Sequence, residues 1–301
     1  MKLHILGCYA ATPRTLSNPT AQVLEIRNHL FLIDCGEGTQ VQLRKNKVKF
    51  SRIQHIFISH LHGDHFFGLP GLISTFRLLG REKELHVYGP KGIKEAITLL
   101  MKLGNSWTNY PLIFHELDSK ESQIIFEDEK LTVTTIPLDH RIYTNGFLFM
   151  EKIGDRKLDV QAMAKYRIDK QYFGEIKKGS DYTLPDGIIL TNDQLTLDPP
   201  PIKSYAYCSD TGYFENIIPL IRNSDALYHE ATFLDSEAHY SATTKHSTAK
   251  QAATIAKKAE VGRLILGHFS TRYKNTEPFQ AEASTIFNPV ELAEDGKVFE
   301  I

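Results

Sequence analysis

The sequence predicts an α/β protein with β-sheets inside and α-helices outside. Two patterns along the chain support this prediction. Near the N-terminus, short apolar runs are joined by hairpin turns, and further along similar runs alternate with stretches that have the apolar spacing of helices. The chain has 301 residues, of which 42 % are hydrophobic, so it can build a sizeable core.

The first half of the chain supplies most of the predicted strands. Apolar, often β-branched runs that end at turn residues predict strands at Leu3–Leu6, Gln22–Ile26, Leu30–Ile33, Ile53–Ile58, Leu85–Tyr88, Ile124–Phe126, Leu131–Pro137 and Gly146–Met150. Helices are predicted from the capping residue Thr39 to about Lys45, over Leu69–Leu79, and from Pro90 onwards. A loop at Ala11–Asn18 is held open by Pro13 and Pro19.

The second half repeats the alternation after an interruption. Strands are predicted at Tyr205–Cys208, Asp225–Tyr228 and Arg263–Leu266, and a helix opens at Lys245–Thr248 and runs through Lys258. The interruption, Glu151–Gly179, has little periodic apolar content and carries eight basic residues against five acidic ones. A charge run of this kind is ordinarily a solvated face.

Four potential metal ligands follow the predicted strand Ile53–Ile58 within six residues. They are His60, His62, Asp64 and His65. A histidine-rich surface loop would be the plain alternative, but the position at a strand end, the H-x-H-x-D-H spacing and the small residues around it agree with one another. Imidazole and carboxylate without thiolate favour zinc, or else iron or manganese.

Three further residues of ligand type also come directly after strand-like runs. His140, Asp210 and His268 are ordinary polar strand caps when each is taken alone. Side chains that leave the same edge of a sandwich can converge, however, and two ions can then share one site. The sequence therefore predicts that these residues meet the histidine-rich turn.

Motifs of two kinds carry a family resemblance. One is the H-x-H-x-D-H spacing of His60–His65; the others are Ser59-His-Leu-His-Gly-Asp-His65 followed by Gly68-Leu-Pro-Gly71, and further along His229-Glu-Ala-Thr232 and His246-Ser-Thr248. The first resembles the signature of the metallo-β-lactamase superfamily, and the others resemble the ribonuclease Z family within it. The resemblance covers nearly the whole chain. It implies an αββα sandwich over residues 1–301 as a single domain, with a flexible arm inserted at 151–179 as a tRNA-binding exosite.

The resemblance also implies an activity and its ligands. The protein would be a zinc-dependent endoribonuclease that removes the 3′ trailer from precursor tRNA and leaves a 3′-hydroxyl, and it would work as a homodimer. One ion would take His60, His62 and His140, the other would take Asp64, His65 and His268, and Asp210 would bridge them. Two such ions activate a water and clamp the oxygens of a phosphoryl displacement.

The leaving oxygen still needs a proton. His246 is the candidate donor, because an imidazole with a pKa near 6.5 can donate at neutral pH, and a nearby carboxylate such as Glu230 would raise that pKa and fix the tautomer. Asp64 would orient the attacking water while it binds metal. The catalytic candidates are therefore Asp64, His246 and Glu230.

Composition restricts the alternatives only weakly. The 35 basic and 36 acidic residues nearly cancel, so a surface that binds RNA must be local. Cys8, Cys35 and Cys208 form no C-x-x-C pair, which favours a reducing cytoplasm. No run approaches the roughly 20 apolar residues of a membrane span.

Two competing interpretations of the function remain. One is a small-molecule hydrolase or phosphodiesterase on the same scaffold, and the other is a non-catalytic RNA-binding module.

Overall fold

A computed structural model describes residues 1–12, 15 and 17–301. Pro13, Arg14 and Leu16, which belong to the predicted loop Ala11–Asn18, lie outside the described residues. The chain divides into two compact units, one made of Met1–Met150 with Lys203–Ile301 and the other of Glu151–Ile202. No helix in the described part of the chain is long and apolar enough to cross a membrane.

Among the described residues, the first part of the larger unit contains six strands and four α-helices. The strands are β1 (Lys2–Gly7), β2 (Ala21–Ile26), β3 (His29–Ile33), β4 (His55–Phe57), β5 (Leu85–Pro90) and β6 (Leu112–Leu117). The helices are α1 (Thr39–Lys45), α2 (Gly63–Phe66), α3 (Leu69–Leu78) and α4 (Ile93–Leu103). They match most of the predicted elements within two or three residues.

The remaining elements follow in three groups. After α4 come β7 (Ile124–Glu127), β8 (Leu131–Pro137) and β9 (Asn145–Glu151). The smaller unit contains β10 (Lys157–Leu158), α5 (Val160–Lys165), α6 (Phe173–Lys177), β11 (Tyr182–Thr183), β12 (Ile189–Leu190), α7 (Asn192–Leu195) and β13 (Thr196–Leu197). The larger unit then resumes with β14 (Ser204–Cys208), α8 (Ile218–Ile221), β15 (Ala226–Glu230), α9 (Ala238–Thr244), α10 (Ala249–Lys258), β16 (Leu264–Gly267), α11 (Glu277–Ala283), β17 (Val290–Leu292) and β18 (Val298–Glu300).

The described strands of the larger unit form two mixed seven-stranded sheets. Their orders are β18-β1-β2-β3-β4-β5-β6 and β17-β16-β15-β14-β9-β8-β7. In the first sheet β3 to β6 run parallel, and in the second β14 to β17 run parallel. Parallel strands present their carboxyl ends at one edge, and ligand-binding residues of α/β proteins lie at such edges.

Alternation along the strands produces four layers. Tyr205 and Tyr207 pack with Phe31 and Phe147 in a core between the two sheets. Ala206, on the opposite face of the same strand, belongs to a second core formed with helices α8, α10 and α11. A third core joins the outer face of the first sheet to α1, α3 and α4. The predicted αββα sandwich is confirmed.

Two predicted helix starts are wrong. Gly38, in a left-handed conformation with φ of 79°, occupies the N-cap position of α1, and Thr39 is the first helical residue, with its hydroxyl donating to the Gly36 carbonyl at 2.7 Å. Pro90 ends β5, where it is paired with Leu117, and the helix begins only at Ile93. The predicted strand Ile53–Ile58 forms only over His55–Phe57.

The smaller unit has a core of its own. Ala162, Met163 and Ile168 pack with Ile176, Leu190 and Leu195, and all six are buried. Four of these residues come from the segment 151–179, in which the sequence indicated little apolar periodicity, and two lie beyond it. The predicted arm 151–179 thus lies within a unit that continues to Ile202.

Candidate metal centre

The histidine-rich turn lies between β4 and α2. Ser59 and His60 follow the end of β4, His62 stands at the N-cap position of α2, and Asp64 and His65 lie in that helix. His60 and His65 are fully buried, and Asp64 is partly so. One short segment thus holds four predicted ligands at the sheet edge.

The structure brings the first predicted ligand set together. His60 Nε2 lies 2.9 Å from His62 Nδ1, and His140 Nε2 lies 3.3 Å from the same atom. Asp210 Oδ2 is 3.5 Å from His60 Nε2 and 3.8 Å from His140 Nε2. Ligand atoms about 2.0 to 2.1 Å from a tetrahedral zinc are roughly 3.3 Å apart, so these distances fit one ion.

The second predicted set is equally close. Asp64 Oδ2 lies 3.4 Å from His65 Nε2 and 3.5 Å from His268 Nε2. Asp210 Oδ1 lies 3.2 Å from His65 Nε2 and 3.1 Å from His268 Nε2. One oxygen of Asp210 therefore faces the first predicted ligand set and the other oxygen faces the second set. A carboxylate that bridges two metal ions requires this arrangement.

The backbone at Asp210 and His268 is unusual for non-glycine residues. Both have a left-handed φ, 54° at Asp210 and 58° at His268. Asp210 lies two residues after the end of β14, and His268 directly follows β16. Such conformations cost of order 1 kcal/mol or more, and they cluster at functional sites because the surrounding structure fixes them there. Both side chains are turned in this way toward the histidine-rich turn.

The polar atoms of the site fit metal ions. Within the described part of the chain, His65 Nε2 and His268 Nε2 are buried and make no hydrogen bond, although each lies close to carboxylate oxygens. Burial opposes a charge on His65, but Asp210, Asp64 and Asp34 outweigh it and raise its pKa well above the ordinary value. The negative charges that favour protonation of His65 also favour binding of a metal cation. An ion held between the two residues would be a partner for both His65 Nε2 and His268 Nε2.

Asp34 supports the ligand turn from the end of β3. Its Oδ1 accepts from the Ser59 amide at 2.7 Å, and its Oδ2 accepts from the Ser59 hydroxyl at 2.9 Å and the Tyr207 hydroxyl at 2.6 Å. The same Oδ2 lies 2.7 Å from His65 Nδ1, which leaves Nε2 to face the metal position. Outer carboxylates of this kind fix the tautomer and orientation of a ligand histidine.

The turn after Asp34 packs against the ligand turn without side chains between them. A Cβ on Gly36 would lie 2.4 Å from the Asp64 carbonyl oxygen, and a Cβ on Gly68 would lie 2.1 Å from that of Gly36. The Cys35 amide donates to the His65 carbonyl oxygen at 2.7 Å. This close backbone contact explains why residues 36 and 68 are glycines.

Asp34→Asn should weaken metal binding by about 10- to 100-fold, because an amide cannot accept all the bonds that the carboxylate accepts and so releases the His65 ring. Competition with a chelator of known affinity measures the change. Tyr207→Phe removes one of the same bonds and serves as the matched control, with a smaller expected effect. Unchanged affinity in Asp34→Asn would contradict an orienting role.

His246 and Glu230 form a buried pair beside the ligands. His246 Nδ1 lies 2.7 Å from Glu230 Oε1, and the carboxylate also accepts from the Thr211 amide at 2.9 Å and the Thr232 hydroxyl at 2.6 Å. Burial lowers the pKa of His246, but Glu230 raises it more, to about 9. The ring is thus held with Nδ1 on the carboxylate, and Nε2 remains for another partner.

A cleft of about 320 Å³ opens onto the ligands. His62, Asp64, Asp210, His246 and His268 line it. Arg141 also lines it, and its charge adds to the burial that lowers the pKa of His62. Arg141 was not predicted as a site residue; in the sequence, its position next to His140 is the signal that could have indicated it.

This combination of fold and site is that of a metallo-β-lactamase-fold protein. The metallo-β-lactamase fold protein YhfI from Bacillus subtilis matches with a TM-score of 0.70 at 19% identity over 99% of this chain and 98% of that one, which concerns the fold alone. The sequence model of the family described as "Anti-Pycsar protein Apyc1" matches residues 1–171.

More specific similarity extends from end to end. A ribonuclease Z of Bacteroides fragilis is 48% identical over 294 residues, which cover 98% of this chain and 97% of that protein. The short form of human tRNase Z matches with a TM-score of 0.72 at 31% identity, over 100% of this chain and 99% of that one. The chain belongs to the ribonuclease Z family.

Proposed function

We propose that this protein is a di-zinc endoribonuclease that removes the 3′ trailer from precursor tRNA and leaves a tRNA 3′-hydroxyl. The observation that carries the proposal is Asp210, whose two oxygens face two separate groups of ligands. The proposed ligands of one ion are His60, His62 and His140, and those of the other are Asp64, His65 and His268. Nitrogen and oxygen ligands suit zinc, with manganese or iron as the alternatives.

Bound ions of this kind supply Lewis acidity and an activated water. The residues of the chain supply the rest of the reaction. Asp64, in the cleft, orients the attacking water, and His246 donates a proton to the leaving ribose oxygen. Glu230 holds the His246 ring in the orientation and charge state that this transfer requires.

The proposed activity is tested by mapping the ends of the products from a precursor tRNA and measuring zinc, manganese and iron on the same preparation. Cleavage at the trailer junction with about two ions per chain supports it. Hydrolysis of bis(p-nitrophenyl) phosphate without cleavage of precursor tRNA would favour the small-molecule phosphodiesterase. A protein that takes up no zinc when it is supplied would instead point to a non-catalytic RNA-binding module.

We also propose a homodimer, as the family resemblance implies. Helices α3 and α4 and the residues after them expose large apolar side chains that a second copy could cover. These are Leu78, Leu79, Leu99, Leu100, Leu103 and Trp107. The mass of the assembly in solution tests this part of the proposal.

The three cysteines are free and buried, which suits the reducing cytoplasm proposed as the location.

The smaller unit is the proposed binding arm for the body of tRNA. Its basic side chains are mostly exposed, and they are available for phosphate contacts; they are Lys157, Lys165, Arg167, Lys170, Lys177 and Lys178. Phosphate contacts of this kind bind without sequence preference and weaken as salt rises. The arm would therefore contribute affinity for tRNA and leave the chemistry to the larger unit.

Replacing Lys152–Ile202 by Asn-Gly should cost at least about 10²-fold in kcat/KM for precursor tRNA, through lost phosphate contacts, and far less for bis(p-nitrophenyl) phosphate. The replacement is feasible because β9 and β14 are antiparallel, with Met150 paired to Ser204, and Asn-Gly closes such hairpins. The triple variant Lys165→Gln, Arg167→Gln, Lys170→Gln keeps the unit and tests charge alone. Equal turnover of precursor tRNA by the shortened protein would rule out arm-based recognition.

A further inference from the structure

Arg141 stands between two clefts of the larger unit. One is the cleft over the candidate metal centre. The other, of about 410 Å³, shares Arg141 with the first, and His140 lines this second cleft next to Arg141. A side chain in this position can contact a substrate that occupies both clefts.

Arg141 is an exposed residue of the larger unit. Within the described part of the chain this exposed side chain makes no ion pair or hydrogen bond, although the nearest carboxylate in the sequence is Asp139. That carboxylate is instead bound by Lys245, at 2.7 Å from Nζ to Oδ2. The guanidinium is thus left for an outside anion, and its planar fork matches phosphate oxygens.

The second cleft has the chemistry of a nucleotide site. Its wall includes the aromatic rings of Tyr143 and Phe214 and the exposed cation Lys120. The Tyr143 hydroxyl donates to the Ser119 carbonyl at 2.9 Å, which fixes the ring in place. Fixed aromatic faces stack on unpaired bases, and nearby cations bind the backbone, which together is how single-stranded RNA is bound.

We propose that Arg141 is a positioning residue that binds a phosphate adjacent to the scissile one, and that the second cleft takes the unpaired ribonucleotide attached to that phosphate. This inference rests on the proposed function. In this inference, the Arg141 side chain aligns single-stranded RNA across the metal centre. This role is separate from any binding of the tRNA body. Lys120 and Phe214 would contact the same nucleotide.

Arg141→Ala should lower kcat/KM for precursor tRNA by about 10- to 100-fold, the range for a lost charge-assisted hydrogen bond. The loss on bis(p-nitrophenyl) phosphate, which has no flanking nucleotide, should be at least about tenfold smaller. Arg141→Lys should recover part of the loss, because it keeps the charge without the fork. Phe214→Ala should also weaken turnover of precursor tRNA more than turnover of the small diester.

Binding measurements separate a phosphate contact from a structural role. The slope of log K against log salt for a single-stranded oligoribonucleotide should be smaller by about 0.7 in Arg141→Ala, the value for one phosphate on a single strand. Arg222→Ala is the matched control, since Arg222 is exposed, paired with Glu260 at 3.1 Å and lines neither cleft. It should leave the slope and both activities unchanged.

The outcomes distinguish this inference from the function on which it rests. Wild-type protein that hydrolyses the small diester but not precursor tRNA overturns the proposed function. Wild-type cleavage of precursor tRNA with an unchanged rate and salt slope in Arg141→Ala overturns the inference alone. Equal losses on both substrates in Arg141→Ala, or a lower metal content, also overturn it, because Arg141 would then act on the metal centre.

Discussion

Asp210→Ala is expected to lower turnover of precursor tRNA on the order of 10³-fold or more and to remove at least one of the two ions. The residue is the only one of the seven proposed ligands that faces both groups, with one oxygen 3.5 Å from His60 Nε2 and the other 3.1 Å from His268 Nε2. Two ions about 3.5 to 4 Å apart repel each other, and the bridging carboxylate offsets that repulsion.

Electrostatics around Asp210 add to this expectation. Burial opposes its ionisation, but the surrounding His268, His65 and His60 hold its pKa well below the ordinary value. The charged carboxylate form of Asp210 is therefore favoured. Its removal leaves three buried imidazoles with a weaker field to attract cations.

Metal analysis of the purified variant, together with single-turnover cleavage, measures both effects. Asp210→Asn keeps the shape and one carbonyl oxygen and should fall between the wild type and Asp210→Ala. Asp235→Ala is the control, because it removes a half-buried carboxylate that is paired with Lys250 at 2.9 Å and is not among the proposed ligands. An Asp210→Ala protein that keeps two ions would refute a bridging role.

The proposed ligands could be predicted from the sequence because several of them come just after an apolar run. His60, Asp210 and His268 follow the carboxyl ends of β4, β14 and β16, and parallel pairing brings such ends to one edge. A strand that is recognised from its apolar residues therefore also locates the side chain that follows it. The spacing of residues in the sequence could not show which oxygen of Asp210 faces which set of proposed ligands, because that depends on how the two sheets pack together.

Other features depend on contacts between residues that are distant in sequence. The availability of Arg141 follows from the ion pair of Asp139 with Lys245, 106 positions away in the chain. Short edge strands such as β17 and β18 are stabilised by pairing with β16 and β1 and have little pattern of their own. Pro90 was wrongly placed at a helix start because proline suits both the first turn of a helix and the end of a strand.

His246→Ala should reduce the rate of cleavage by about 10²- to 10⁴-fold and leave the metal content unchanged, since it removes the proposed proton donor to the leaving oxygen. His239→Ala is the matched control, because His239 is an exposed histidine in α9 of the same region. The alternative is a ligand role, as His246, Asp210 and His268 also lie close enough to hold an ion. Loss of metal in His246→Ala would favour that alternative.

The pH dependence provides a second test of the donor. Because Glu230 raises the His246 pKa to about 9, against the opposing effect of burial, the ring stays protonated up to that pH and activity should fall as the pH rises through it. Glu230→Gln removes the charge that raises the pKa, so the alkaline fall should begin at a lower pH. In His246→Ala this limb should disappear and added imidazole should restore part of the rate. If Glu230→Gln left the alkaline limb in place, His246 would not be the group that titrates there, and the proton would have to come from another source.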